Sequence, residues 1–345
     1  MLREGEGAAL DPLGPRAPGP DTLLEIRGLK TWFGTDDGMV RAVDGVSLTI
    51  ARGETLAVVG ESGCGKTVTA RSVLKLIDTP PGRFEAGQVI WRGRDLIPLP
   101  AAEMDKIRAR EIAMVFQEPM TSLNPIYTVG DQIAESVLAH GRVSRRAALA
   151  KAIEMLELVQ IPDAARRMRD YPHQFSGGMR QRVMIAMALA CEPQLLIADE
   201  PTTALDVTIQ AQILELMAEM KARFGMAIML ITHDMGVVAE NAQRVAVMYA
   251  GKVIEEAPVE ALFANPRHPY TQGLIRSIPR VDARAHGQAH RRARLEQIPG
   301  TVPSLLHPPT GCRFAARCRF VMDACRTAEP PLRQVAPDHT MACIL

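Results

Sequence analysis

The sequence predicts an α/β protein built on a largely parallel sheet. Three short apolar runs, at residues 56–59, 195–198 and 227–231, are continuous, as is typical of strands buried on both faces. Helical patterns separate these runs along the chain, and parallel strands need such crossover connections. Each run ends in glycine or polar residues, which places the ligand-binding edge of the sheet at the carboxyl ends of the strands.

Length and composition restrict the class of protein. The chain has 345 residues, 47% of them hydrophobic, which is enough for one large domain and a smaller one. Its 40 basic and 39 acidic residues leave a net charge of +1, so the overall charge gives no reason to expect a nucleic-acid partner. No run approaches the ~18 consecutive apolar residues of a membrane helix. Residues 1–21 lack the apolar core of a signal peptide, and we therefore expect a cytoplasmic protein.

Changes in composition mark the two ends of the chain. Residues 1–22 are rich in glycine and proline and carry few large apolar side chains, which predicts a disordered leader. Residues 263–345 contain proline-punctuated segments and four of the six cysteines, which predicts a separate C-terminal extension. An arginine- and histidine-rich run at 280–294 within it is interpreted as a solvated linker, with an anion site as the alternative.

One helix can be placed from its pattern. Residues 144–160 favour an amphipathic helix that Ser144 caps and that Pro162 prevents from continuing. The apolar residues that fall on one face, at spacings of four and three, are Leu149, Ile153 and Leu156. Because this stretch lies between two loops that carry chemistry, we expect an inserted helical subdomain at about 118–178.

A phosphate-binding pattern, G-x-x-x-x-G-K-[ST], follows the first buried strand. Its residues are Gly60, Glu61, Ser62, Gly63, Cys64, Gly65, Lys66 and Thr67. Glycines let the backbone curl so that N–H groups face a phosphate, and the helix that follows adds the positive end of its dipole. We expect Lys66 to neutralise β- and γ-phosphate oxygens and the Thr67 hydroxyl to ligate Mg²⁺. A merely glycine-rich turn would not explain a Lys-Thr pair at the start of a helix.

Two adjacent carboxylates end the second buried strand. Asp199 is expected on the Mg²⁺ side of the site, and Glu200 as the general base for an attacking water. The same two residues could instead cap the following helix. The phosphate-binding pattern favours the catalytic interpretation.

The segment Phe175-Ser176-Gly177-Gly178-Met179, 23 residues before Asp199, resembles the signature sequence of ATP-binding-cassette (ABC) ATPases, whose commonest form is Leu-Ser-Gly-Gly-Gln. Other marks of that family follow its order along the chain. They are Gln117 of the Q-loop, Ala204-Leu205-Asp206 of the D-loop, the switch histidine His233, and Phe33, with Trp32 as a neighbouring candidate, as the aromatic that stacks on adenine. The resemblance covers residues 23–262.

The resemblance implies a P-loop NTPase fold, with a RecA-like core and a helical subdomain, that binds ATP and Mg²⁺. It implies Thr67, Gln117 and Asp199 around the metal, and Gln117 and His233 beside Glu200 in catalysis. It also implies a second ABC ATPase, identical or related, whose signature residues cap the nucleotide held by this chain. The signature residues donated across that pairing are Ser176, Gly177 and Gly178. The resemblance also implies that Asp206 of the D-loop is a nucleotide-binding residue.

Longer stretches are similar to the ATP-binding subunits of bacterial dipeptide, oligopeptide and nickel importers, among them "QEPMTSLNP", "YPHQFSGGMRQRVMIAMALA" and "NPRHPYTQGL". This likeness implies peptide uptake, with nickel or another small solute as the alternative. It implies two transmembrane permease subunits, an external solute-binding protein reached through them, and a peripheral position on the cytoplasmic face of the inner membrane. A soluble non-transport ABC ATPase is a further alternative.

Four cysteines near the C-terminus are spaced C-x5-C-x6-C-x17-C: Cys312, Cys318, Cys325 and Cys343. Four thiolates can hold an iron–sulfur cluster or Zn²⁺, and free cysteines can also be small core residues. The absence of a C-x2-C pair weakens the zinc interpretation. The pattern resembles the cysteine motif of peptide-importer ATPases, which implies a [4Fe–4S] cluster.

Overall fold

The computed structural model describes residues 18–118, 122–203, 205–278 and 297–345. Most of the predicted leader, Ala204 of the predicted D-loop and the run at 280–294 lie outside these residues. The strands in chain order are β1 Thr22–Thr35, β2 Gly38–Ala51, β3 Thr55–Val59, β4 Gly82–Trp91, β5 Arg94–Asp95, β6 Ile112–Val115, β7 Leu195–Asp199, β8 Ala227–Thr232, β9 Arg244–Tyr249, β10 Lys252–Pro258, β11 Arg333–Ala336 and β12 His339–Met341.

Helices occupy the crossovers and cover the sheets. The α-helices described are α1 Lys66–Val73, α2 Ala101–Ile107, α3 Val129–His140, α4 Arg145–Leu158, α5 Ala164–Arg167, α6 Gly177–Leu189, α7 Val207–Phe224, α8 Met235–Asn241, α9 Val259–Ala264, α10 Pro269–Arg276 and α11 Asp323–Thr327. Short 3₁₀ turns lie at Pro172–Gln174 and Ala315–Arg317.

The main sheet confirms the α/β prediction. Within the described residues its strand order is β11-β12-β10-β9-β3-β8-β7-β6. The five strands from β9 to β6 pair in parallel, while β10, β12 and β11 extend one edge in antiparallel pairing. The three predicted apolar runs are β3, β7 and β8, which lie side by side. Their carboxyl ends therefore bring Gly60, Glu200 and His233 to one edge.

A second, antiparallel sheet has the order β2-β1-β4-β5 among the residues described. The parallel strands of the main sheet are covered on both faces, because successive residues of each strand alternate between two apolar clusters. Leu196 of β7 packs with the helices, and Ile197 packs against the antiparallel sheet. Continuous apolar sequence is the result of this two-sided burial.

The predicted helix at 144–160 is α4. Ser144 caps it by accepting a hydrogen bond from the Ala147 N–H at 3.2 Å. Leu156 is buried as predicted, whereas Leu149 and Ile153 are only half-buried. The face is rotated, because the small residues Ala148 and Ala152 are fully buried.

The C-terminal extension packs on the main sheet. Strand β12 pairs with β10, and Phe314 belongs to the apolar cluster that covers β9. A buried ion pair from Arg313 to Asp44 of β2 adds a second attachment. The extension therefore shares the core of the sheet that carries the site described next.

Candidate active site

The phosphate-binding pattern forms the turn between β3 and α1. Gly60, Gly63 and Gly65 have φ angles of 152°, 78° and 102°, which L side chains rarely adopt. A Cβ atom on Gly65 would also overlap the carbonyl oxygen of Ala42, whereas one on Gly63 would meet open space. The turn thus needs glycine at 65 for two reasons, and at 63 for its backbone angle alone.

Lys66 lies inside the curl of this loop and is 4% exposed. Its Nζ donates hydrogen bonds to the carbonyl oxygens of Gly60, at 2.8 Å, and Glu61, at 3.2 Å. The residue is also the first of α1, whose N-terminus carries a partial positive charge. An anion in the loop would therefore meet both the ammonium group and the helix end.

Thr67 and Asp199 meet across 132 residues of sequence, where the Thr67 Oγ1 donates to Asp199 Oδ1 at 3.0 Å. The other carboxylate oxygen, Oδ2, is buried and has no hydrogen-bond partner among the described residues. Burial raises the pKa of Asp199, and the bond from Thr67 opposes that rise. A hydroxyl beside a buried carboxylate with one unsatisfied oxygen fits the oxygen ligands that Mg²⁺ prefers.

Glu200 is the meeting point of three segments. Its Oε2 accepts hydrogen bonds from Gln117 Nε2, at 3.1 Å, and from Thr203 Oγ1, at 2.9 Å. His233 Nδ1 lies 3.5 Å from the other oxygen, Oε1. Glu200 itself has a φ of 46°, held in part by its N–H, which donates to the Ile231 carbonyl of β8 at 2.9 Å. The carboxylate is therefore oriented by its neighbours on both oxygens.

One open cleft of about 480 Å³ brings together Lys66, Thr67, Gln117, Glu200 and His233. Its lining residues are Ala42, Ser62, Gly63, Gly65, Lys66, Thr67, Val68, Gln117, Glu200 and His233. Cys64 and Asp199 are buried, at 1% exposure each, and Gly60 and Glu61 line an adjoining depression with His233. The sequence reasoning did not single out Ala42, Val68 or Thr203. The hydroxyl three residues after Glu200 was the available signal for Thr203.

The predicted signature residues and the described D-loop residues are absent from the lining of this cleft, and the helices that follow them contact each other. Ser176 caps α6 by accepting from the Met179 N–H at 3.4 Å, and Asp206 caps α7 by accepting from the Ile209 N–H at 2.9 Å. A Cβ on Gly178 would stand 2.7 Å from Cγ2 of Ile209. The two helix starts therefore form one surface, with Ser176 and Asp206 exposed on it.

Neither aromatic candidate for adenine stacking lines the cleft. Phe33 of β1 is half-buried and pairs with Gly82 of β4. The ring of Trp32 is approached by cations instead, with the Arg41 guanidinium 5.0 Å from its centroid. The adenine-binding role of Phe33 stays a prediction.

The four C-terminal cysteines lie near one another. Burial raises the pKa of Cys312, and the thiols of Cys318, Cys325 and Cys343 add to that rise. Across the described ranges, however, no group of three or more His, Cys, Asp or Glu side chains is arranged to hold a metal ion. Burial also raises the pKa of Cys318 and favours the thiol over the metal-binding thiolate. The structure therefore does not support the predicted [4Fe–4S] cluster at Cys312, Cys318, Cys325 and Cys343.

Comparison with known proteins places the chain in a family. Residues 43–203 match the family model described as ABC transporter, and residues 254–325 match that of the oligopeptide/dipeptide transporter C-terminal region. A probable peptide ABC transporter ATP-binding protein of Sinorhizobium fredii is 55% identical over 94% of this chain and 96% of its own. The chain belongs to the ATP-binding proteins of ABC transporters.

Other members of this ABC family are similar over nearly the same length. The oligopeptide transport ATP-binding protein OppD of Bacillus subtilis is 51% identical over 92% of this chain and 87% of its own. The dipeptide transport protein DppD of the same organism is 50% identical over 94% and 95%. A solved bacterial ABC transporter cassette, described as dimeric, superposes with a TM-score of 0.62 at 27% identity, covering 69% of this chain and 99% of that one.

These comparisons confirm the predicted ABC fold and family. The described part of this ABC protein contains no helix with the length and apolar character needed to cross a bilayer.

Proposed function

We propose that this chain is the ATP-hydrolysing subunit of an ABC import system for dipeptides or oligopeptides. The observation that carries the enzymatic part is the position of Glu200, held by Gln117 and Thr203 beside the phosphate loop. The relatives named as peptide, oligopeptide and dipeptide transport proteins support the peptide part. No feature of the described residues favours nickel or a soluble non-transport role.

Each step of hydrolysis has a residue suited to it. Lys66 and the α1 N-terminus would bind the triphosphate of ATP, while Thr67 and Asp199 would hold Mg²⁺. Mg²⁺, when bound, neutralises phosphate charge. Glu200 accepts a proton from the attacking water while the water oxygen forms a bond to the γ-phosphorus. The bond between that phosphorus and the bridging oxygen breaks, and ADP leaves with this oxygen.

Gln117 and His233 complete this arrangement. Because Gln117 donates to Glu200 Oε2, it fixes the direction in which the carboxylate accepts a proton. His233 is on the solvent side of the carboxylate, with its side chain 63% exposed. There it can contact the γ-phosphate end of a bound nucleotide. In the proposed site Gln117 would also be a ligand of Mg²⁺.

The site is completed by a second ABC ATPase in this proposal. Ser176, Gly177, Gly178 and Asp206 lie outside the cleft of their own chain, as expected of groups that serve a partner. The neighbouring Val207 is 83% exposed, so its apolar surface is available to that partner. Closure of two such chains around ATP, and reopening after hydrolysis, would provide the motion that drives transport.

Two permease subunits are the proposed recipients of that motion. The surface after Gln117 exposes Ile126, at 72%, and Tyr127, at 52%, which is apolar area available to a membrane partner. The chain would then lie on the cytoplasmic face of the bacterial inner membrane as a peripheral subunit. A solute-binding protein would be engaged only through the permeases, and nucleic acid has no part in this role.

Purification of the tagged chain from its own cells tests the assignment. We expect two hydrophobic permease subunits to co-purify, and the complex to hydrolyse MgATP faster when a peptide-loaded binding protein is added. The Lys66→Ala variant should retain the permeases and lose tight nucleotide binding. Co-purification with ribosomes or DNA, without permeases, would contradict the proposal.

A further inference from the structure

Arg317 of the C-terminal extension grips Glu61 of the phosphate loop, 256 residues earlier in the chain. Its Nη1 lies 2.7 Å from Glu61 Oε2, and its Nη2 lies 2.9 Å from Oε1. This is the two-pronged geometry in which arginine binds a carboxylate most strongly. The arginine side chain is 5% exposed, so water screens the pair far less than it screens a surface ion pair.

The backbone of Glu61 is held as well. Its N–H donates to the hydroxyl of Tyr270 at 2.9 Å, and its carbonyl oxygen accepts from Lys66 Nζ at 3.2 Å. Tyr270 and Arg317 both follow residue 262, outside the predicted cassette. Two side chains of the C-terminal region therefore fix the residue whose carbonyl receives the phosphate-binding lysine.

Tyr270 and Arg317, which contact Glu61, are themselves held by aromatic packing and hydrogen bonds. The rings of Tyr249, Tyr270 and Phe314 pack together, with centroids 4.7 to 5.5 Å apart. Arg317 also donates to the Pro299 carbonyl from Nε at 2.9 Å and to the Tyr249 hydroxyl from Nη1 at 3.3 Å. Such a network leaves the guanidinium little freedom to move.

We propose that Arg317, with Tyr270, is a positioning residue for the ATP site: it holds the phosphate loop in shape and cancels the negative charge of Glu61. Without the arginine, an unpaired carboxylate would lie one residue from Gly60, in the loop that must accept a triphosphate. Like charges at this range repel. The extension thus supports nucleotide affinity in addition to any contact with other subunits.

This inference rests on the proposed nucleotide site, and binding of MgATP to the full chain tests it. We expect Arg317→Met to raise the Kd for MgATP about tenfold, which is the loss of affinity expected when a charge-assisted hydrogen-bonded pair is removed. The matched control is Arg333→Met, because Arg333 belongs to the same extension and its side chain donates to the Cys343 and Leu345 carbonyls, at the end of the chain, instead of to the phosphate loop. That control should bind MgATP as the unchanged chain does.

A double-mutant cycle separates positioning from general destabilisation. If Arg317 acts through Glu61, Glu61→Gln combined with Arg317→Met should bind no more weakly than Arg317→Met alone. Arg317→Lys keeps the positive charge and loses the paired hydrogen bonds to Glu61. Its affinity for MgATP should lie between those of the unchanged chain and Arg317→Met. Circular dichroism and Tm identify the folded variants, and Glu61→Gln supplies the reading if Arg317→Met does not fold.

The failures of the two proposals differ. Binding within twofold of the unchanged chain in folded Arg317→Met, or losses that add independently with Glu61→Gln, would overturn the positioning role alone. Absence of MgATP binding in the unchanged chain would overturn the proposed function and, with it, this inference.

Discussion

Gln117 Nε2 lies 3.1 Å from Glu200 Oε2, although 83 residues separate them in the chain. Gln117 follows β6 and Glu200 follows β7, and these strands are parallel neighbours, so their carboxyl ends coincide. His233 reaches the same carboxylate from the end of β8. Sheet topology alone thus assembles the groups around the proposed general base.

Replacing Glu200 by Gln keeps the shape and removes the proton acceptor. We expect the variant to bind MgATP within about twofold of the unchanged chain and to hydrolyse it at least about 100-fold more slowly, the usual contribution of a general base. It should also accumulate as a nucleotide-bound closed dimer, visible by size-exclusion chromatography with light scattering. Glu215→Gln, on the exposed side of α7, is the control. Rapid turnover by Glu200→Gln would refute the assigned base.

The ionised carboxylate of Asp199 lowers the stability of the folded chain, because burial raises its pKa. A carboxyl group with a raised folded-state pKa loses stabilisation as pH increases through the ionisation. We therefore expect Asp199→Asn to raise Tm at pH 8 in the absence of nucleotide, and to weaken Mg²⁺-dependent ATP binding. Differential scanning fluorimetry with and without MgATP measures both. A lower Tm together with unchanged binding would show that the carboxylate is purely structural.

The loop glycines differ in what they tolerate. Gly65→Ala introduces both an unfavourable φ and a collision with the Ala42 carbonyl, and should abolish measurable MgATP binding. Gly63→Ala introduces only the unfavourable φ, which costs about 1 kcal/mol, so it should weaken binding modestly. Isothermal titration of both variants checks the order. Equal effects would mean that the collision with Ala42 is relieved at no cost.

His268 makes the fold sensitive to acid. Burial lowers its pKa from 6.5 to about 4, and its neutral Nδ1 accepts from the Tyr270 N–H at 3.0 Å. As the pH falls, His268 is protonated in the unfolded chain before it is protonated in the folded chain. The free energy of unfolding that this histidine contributes is therefore complete above pH 6.5 and is lost as the pH falls toward about 4.

His268→Asn keeps an acceptor at this helix start without a group that titrates in that range. We expect its urea midpoint to fall less than that of the unchanged chain between pH 6.5 and pH 4. The nearby Glu255 has a lowered pKa, since its hydrogen bonds outweigh the effect of burial. Because Glu255 is present in both proteins, its titration does not account for a difference between their pH curves. Parallel pH curves would show that another group causes the acid sensitivity.

Much of this site was predictable because its chemistry is local in sequence. The phosphate loop is contiguous, and Asp199 and Glu200 end an apolar run that is recognisable as a buried strand. Parallel pairing then determines that such ends meet. The same reasoning placed α4 and its cap at Ser144, since capping depends on a few adjacent residues.

Other features depend on tertiary contacts that the sequence does not display. Arg317 is a single arginine among several in the extension, and nothing in its neighbourhood indicates that it reaches Glu61. The rotated face of α4 was missed because Ala148 and Ala152 allow close packing without being strongly apolar. The four cysteines suggested a metal cluster because they resemble a known cysteine motif, whereas their arrangement in the structure does not provide one.

Uptake by cells lacking this subunit tests the central claim most directly. Labelled dipeptides, oligopeptides and nickel would each be offered to the deletion strain, to the strain carrying the unchanged chain, and to one carrying Glu200→Gln. We predict that peptide uptake is lost on deletion, restored by the unchanged chain and not by Glu200→Gln, with nickel uptake unaffected. Peptide uptake that persists in the deletion strain, or loss of nickel uptake alone, would contradict the account.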